Sequence, residues 1–164
     1  MNLKGVIAKS LLFCLLYAIK NPLSMKKIFI SIVLLLIGYI SNAQTKAPEM
    51  LKGSFMDDYK ITYAINDTLW AQKPNAKYHI IKWNEKEQYL IARNDKSNPA
   101  DGGLYTRIDY MTFENMSPFL WGFCLSTYNA ATAEAAEAVK IADRANPRKG
   151  CNGFPFSRMK RVEN

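Results

Sequence analysis

Residues 104–128, LYTRIDYMTFENMSPFLWGFCLSTY, carry the clearest strand signal in the chain. Two runs rich in aromatic and β-branched residues, 104–113 and 119–128, flank Ser117-Pro118, a dipeptide that turns the backbone. Alternate side chains of a strand point to opposite faces. Tyr105, Arg107, Asp109, Met111 and Phe113 therefore share one face of the first run, and in the second Cys124 lies with Gly122 and Ser126 on the face opposite Trp121.

The pattern continues upstream. Residues 77–83 and 88–93 stand on either side of Asn84-Glu85-Lys86-Glu87, which suits a four-residue hairpin connection, and 94–103 (NDKSNPADGG) is a long loop signal. Tyr89, Ile91 and Arg93 share a face. Residues 55–65 alternate as one long strand, Phe55, Asp57, Tyr59, Ile61, Tyr63 and Ile65 on one side, before Asn66-Asp67 turns into 68–72. Strands joined by short loops are most simply antiparallel neighbours. Downstream the composition becomes alanine-rich: Thr132 is placed to cap a helix over 132–145, Glu134 falls in its first turn, and Pro147 lies past its end. The segment 149–161 holds Phe154, Phe156 and Met159, which predicts an ordered tail laid on the sheet. The expected fold is mainly β with one C-terminal helix (α+β): an antiparallel meander of about six strands, open or barrel-like, packed by the helix and the tail.

The N-terminal part reads differently. Met25-Lys26-Lys27, the apolar run 28–40 and the small residues Ser41 and Ala43 form a secretory signal peptide over 25–43, predicting a mature start at Gln44 and a periplasmic or secreted location. Residues 1–24 read as an over-extended N-terminus, 44–50 as a polar leader and 51–164 as a single β-rich domain. Neither apolar run reaches the roughly 20 residues of a membrane span. Lys4, Lys9, Lys20, Lys26 and Lys27 precede the expected cut while all 14 acidic residues follow it, so the formal charge of +8 is mostly a property of the targeting region. What remains is concentrated at the end, where Lys140, Arg144, Arg148, Lys149, Arg158, Lys160 and Arg161 face only Asp143 and Glu163. This basic tail is expected to be a solvated surface; for an exported protein, nucleic acid is not its expected partner.

Of the three cysteines, Cys14 precedes the cut. Cys124 and Cys151 read as one disulfide in an oxidising compartment, since they lack C-x-x-C spacing and a nearby histidine. His79, the single histidine, stands mid-strand and reads as a structural or surface residue. Phosphate-loop, dinucleotide and nucleophile-elbow motifs do not occur, and neither a cofactor nor a metal is implied. Asp57 and Asp58 are adjacent, so on a strand they diverge. Arg93, Tyr105, Arg107 and Asp109, with Trp121, form the candidate ligand-binding set: cations and a carboxylate among aromatics imply either a structural ion pair or a site for an apolar or anionic ligand. Two function classes follow, a non-catalytic binding or interaction module for a small ligand or protein partner and a small hydrolase using Asp57, Asp58 or Asp109. The lack of a base network favours binding.

The runs GSFMDDYKITYAINDTLW (53–70), YHIIKWN (78–84), QYLIARND (88–95), GLYTRIDYM (103–111), WGFCLSTYNA (121–130) and GCNGFPFSRMKR (150–161) resemble a group of short exported proteins of Gram-negative bacteria. The likeness spans nearly all of 51–161; it implies export and carries over no activity and no site residue. In architecture alone, an aromatic-rich exported meander followed by a helix is similar to lipocalin-type barrels, with Gly53-Ser54-Phe55 where those open on G-x-W.

Overall fold

The computed structural model describes residues 46–162; the expected signal peptide, the segment before it and Cys14 lie outside the described residues. Eight antiparallel strands run in sequence order: β1 (Gly53–Met56), β2 (Thr62–Ile65), β3 (Leu69–Gln72), β4 (Ala76–Asn84), β5 (Tyr89–Asn94), β6 (Tyr105–Thr112), β7 (Phe119–Ala130) and β8 (Ser157–Arg161). Each pairs with the next, and β8 returns to β1 through Phe55↔Arg161 and Met56↔Lys160, closing the sheet into a barrel. Closure leaves no edge of unpaired backbone groups. The one α-helix among the described residues, α1 (Ala133–Glu137), lies between β7 and β8 in sequence.

The expected antiparallel, barrel-like α+β architecture is present, with eight strands in place of about six. One extra strand arises because 55–65 is a hairpin. Asp57 turns inward and its Oδ1 accepts the N–H groups of Tyr59 (2.8 Å) and Ile61 (2.9 Å), while Lys60 takes a left-handed φ of 66°. A side-chain turn of this kind competes with a strand ladder. The other extra strand is the tail itself. Met159 points into the core from β8, and Phe156 packs beneath the outer covering segment, but Phe154 is 72% exposed, contrary to the expectation that it is buried. Part of the expected polar leader joins the structure: Ala47 is buried in the core and its N–H donates to Asp67 Oδ1 at 3.0 Å, and Glu49 and Met50 open a 3₁₀ turn that ends on the buried Leu51.

The helix is much shorter than 132–145. Thr132 caps it as expected, its hydroxyl accepting the Ala135 N–H at 3.1 Å. Alanine propensity is a weak force beside tertiary contacts. At Glu137 the carbonyl is taken by Arg107, and the chain then leaves the helix axis so that Ala142 packs by Cys124 and Phe156 and Arg144 reaches the barrel wall. Turn bonds hold this stretch, among them Asp143 N–H to Gly150 O (2.9 Å) and Ala145 N–H to Asp143 Oδ1 (3.0 Å).

The barrel interior is filled with rings. Trp70 meets Phe123 at 5.1 Å, Trp121 at 5.8 Å and Tyr63 at 5.9 Å; Phe55 meets Trp121 at 5.2 Å, and these contacts are edge-to-face. An eight-stranded barrel is just wide enough for side chains to occupy it. Here the indoles of Trp70, Trp83 and Trp121 are almost wholly buried, each contributing on the order of 2–3 kcal/mol. Gly53 opens the wall at φ +120°, and Arg161 lies over the Phe55 ring (4.9 Å); a Cβ on Gly53 would come within 2.6 Å of the Arg161 Nη1.

Candidate functional site

The strand period sends the expected site residues to two sides of one wall. Ile108 and Tyr110 of β6 and Trp121 and Phe123 of β7 point inward; Tyr105, Arg107 and Asp109 point outward, where α1 and the chain after it cover them. Trp121 is thus separated from the other four. Arg93 is exposed, donating to the Gly103 carbonyl at 3.3 Å with its guanidinium 5.9 Å from the Tyr105 ring.

Arg107 and Asp109 form a buried ion pair. Arg107 Nε donates to Asp109 Oδ2 (3.0 Å) and Nη2 to Oδ1 (2.9 Å), while Nη1 donates to the Glu137 carbonyl (2.7 Å) and the guanidinium stacks 4.0 Å over the Tyr89 ring. Arg144 adds a second cation: it donates to Asp109 Oδ1 (3.1 Å) and to the carbonyls of Gln88 (2.7 Å), Tyr110 (2.8 Å) and Glu87 (3.0 Å). The Ser126 hydroxyl donates to Asp109 Oδ2. Tyr89 and Lys82 both donate to Glu137, and Lys82 before Tyr89 holds the Glu137 carboxyl below its ordinary range. All of these partners belong to the protein itself. The cluster fastens α1 and the stretch around Arg144 to the outer wall, and the Cys124–Cys151 disulfide, with Cα atoms 5.4 Å apart, fastens the same covering segment a few residues later. The charges read in the sequence as a structural pair or a ligand site therefore make a clamp.

The other carboxylates are occupied too. Asp57 Oδ2 accepts the Tyr63 hydroxyl (2.8 Å); burial first, and this bond second, push the Tyr63 phenol far above its ordinary range. Asp58 accepts the Arg158 backbone N–H (2.9 Å) and pairs with its guanidinium (2.8 Å to Oδ1). His79 is half-exposed and bonded to Asp95 at 2.7 Å; hydrogen bonds from Ser97 and then His79 hold Asp95 well below the usual carboxylate range. Among the described residues, no group of three or more His, Cys, Asp or Glu side chains converges as a metal site.

Open space lies on the outside of the barrel. A cleft of about 620 Å³ is bounded by the β1–β2 turn, the β6–β7 connection and the covering segment. Flat groups line most of it: Tyr59, Phe113 and Phe156, with Pro147 and Pro155. Phe113 can lie against β7 because Gly122 is beneath it; a Cβ there would sit 2.8 Å from the ring. Met116 and the charged Asp58, Arg148 and Arg158 complete the lining. Arg158 rests over Phe119 (4.4 Å) and is neutralised by Asp58, whereas Arg148 is exposed and makes no ion pair or hydrogen bond among the described residues. The sequence pointed to this place through the basic tail, of which Arg148, Lys149, Arg158 and Arg161 are exposed and Lys160 is half-buried, and through Asp58 and Phe156. Its aromatic lining as a set went unnoticed because three separate turn regions supply it.

The fold and the surface together define a closed antiparallel barrel with a filled interior and an external cleft. No protein-family model, curated protein or solved structure matches this chain. Among the described residues, no helix is long and apolar enough to cross a membrane.

Proposed function

We propose that this chain is an exported, non-catalytic binding protein of the periplasm or the secreted fraction, related to the short exported Gram-negative proteins it resembles, and that it binds through its outer surface. One observation carries this reading: ring packing fills the lumen, and a cleft opens on the outer wall beside Arg148, a cation with no carboxylate partner among the described residues. Lumen-filling residues supply stability, while a concave, mostly apolar surface with a few polar groups is the usual form of a ligand site. The occupied carboxylates also favour binding over hydrolysis, because Asp57, Asp58 and Asp109 each already accept hydrogen bonds from the protein on both oxygens.

Native mass spectrometry of protein purified from the envelope of its own host tests the reading. The expected result is a bound species on the wild type that is lost from Met116→Trp, in which an indole occupies the cleft. A bound species retained by that variant, or none on the wild type, overturns it.

A further inference from the structure

We propose that the external cleft takes a small planar aromatic monoanion, with Arg148 as its charge partner; this rests on the reading of the cleft as the binding surface. Three features of the lining point to that chemistry.

The first is shape. Tyr59, Phe113, Phe156, Pro147 and Pro155 offer flat faces, and no branched aliphatic residue lines the cleft. Ring faces reward offset stacking against another ring, and rigid side chains lose little rotamer freedom in making that contact. An alkyl chain is better served by conformable aliphatic side chains, of which only Met116 is present.

The second is charge. Asp58 and Arg158 cancel each other through a two-pronged contact at 2.8–3.0 Å. Arg148 is then the one lining cation without a carboxylate partner among the described residues, so the lining carries a single net positive charge. Its planar guanidinium matches a carboxylate in a two-point hydrogen bond. One cation calls for one anionic group, which sets a monocarboxylate apart from a phosphate dianion.

The third is size. About 620 Å³ falls within the roughly 300–1,000 Å³ of small-molecule sites.

The test is an amide-resolved NMR titration of the mature, oxidised protein with three probes: 1-naphthoate (planar, anionic), 1-naphthalenemethanol (planar, neutral) and octanoate (anionic, aliphatic). Naphthoate is expected to shift the amides of Tyr59, Phe113 and Phe156 saturably and to bind more tightly than either of the others. Arg148→Glu should weaken naphthoate about fivefold, as expected when an exposed ion pair becomes a repulsion, and leave the alcohol unchanged. Lys149→Glu, a neighbouring exposed charge outside the lining, should have little effect. Equal or tighter binding of octanoate overturns the planar requirement. An unchanged naphthoate affinity in Arg148→Glu, or an equal loss in Lys149→Glu, overturns the charge assignment while the cleft reading stands. Absence of shifts at the cleft with all three probes overturns the inference and that reading together.

Discussion

Removing the Asp109 carboxylate is the sharpest test of what holds the covering segment to the barrel. In Asp109→Ala, Arg107 keeps its bond to the Glu137 carbonyl and its stack on Tyr89, but Nε and Nη2 lose both acceptors in a site that is about 2% exposed. Arg144 suffers less, since it is partly exposed and retains three carbonyl acceptors, and Ser126 is exposed enough to find water. The cost therefore falls mainly on one buried, unpaired guanidinium, and breaking a buried pair from one side costs about 3–5 kcal/mol. Equilibrium urea unfolding of the oxidised protein would report it as a lowered midpoint at unchanged slope. The paired replacement Arg107→Met with Asp109→Leu should recover most of the loss, because no buried charge is left without its partner. A loss below about 1 kcal/mol in Asp109→Ala, or a paired variant less stable than the single one, would refute the assignment of Arg107 and Asp109 as a desolvated clamp.

Replacing Cys124 and Cys151 together by Ala opens a loop with a sequence separation of 27 and should lower stability by about 3–4 kcal/mol on the chain-entropy account, with limited proteolysis then cutting first within 138–156. Gly53→Ala should cost about 1–3 kcal/mol by thermal denaturation, because the position needs φ +120° and an added Cβ displaces Arg161 from Phe55. Burial pushes the Tyr110 phenol up to about 12, so its neutral form stabilises the fold fully below the ordinary value near 10; that contribution disappears as pH rises from 10 towards 12. Urea midpoints across that window should therefore fall less in Tyr110→Phe than in the wild type, and parallel curves would count against it.

Much of the wall was legible because period-two alternation survives wherever one face meets a core. Residues 88–93, 104–113 and 119–128 fall on β5, β6 and β7 to within two residues at either end. The β1–β2 hairpin was hidden because Asp57, Tyr59 and Ile61 continue the alternation while Asp57 bends the chain. The strand β8 was hidden for a different reason: in Ser157–Arg161 only Met159 is buried, and charged neighbours mask it. For the clamp, Arg107 and Asp109 announced themselves as charges that need partners. Arg144 and Glu137, which complete the cluster, arrive from a segment whose alanines suggested an unbroken helix. The cleft could not be seen along the chain: Pro147, Arg148, Pro155, Phe156 and Arg158 come from one stretch, but Asp58 and Tyr59, and Phe113 and Met116, come from two distant ones that only the closed barrel brings beside it.

The alternation along β6 also governs how such a chain can diverge. Ile108 and Tyr110 serve the aromatic interior, while Arg107 and Asp109, interleaved with them, serve the clamp. Loss or gain of one residue between 107 and 110 would exchange the two sets, driving a guanidinium and a carboxylate into the rings and leaving two apolar side chains beneath α1. Each strand thus behaves as a two-beat reading frame. Point changes can be accepted one layer at a time, so the outer surface can acquire new specificity without disturbing the interior. Changes of length belong to the connections, such as 95–104, where no such frame applies.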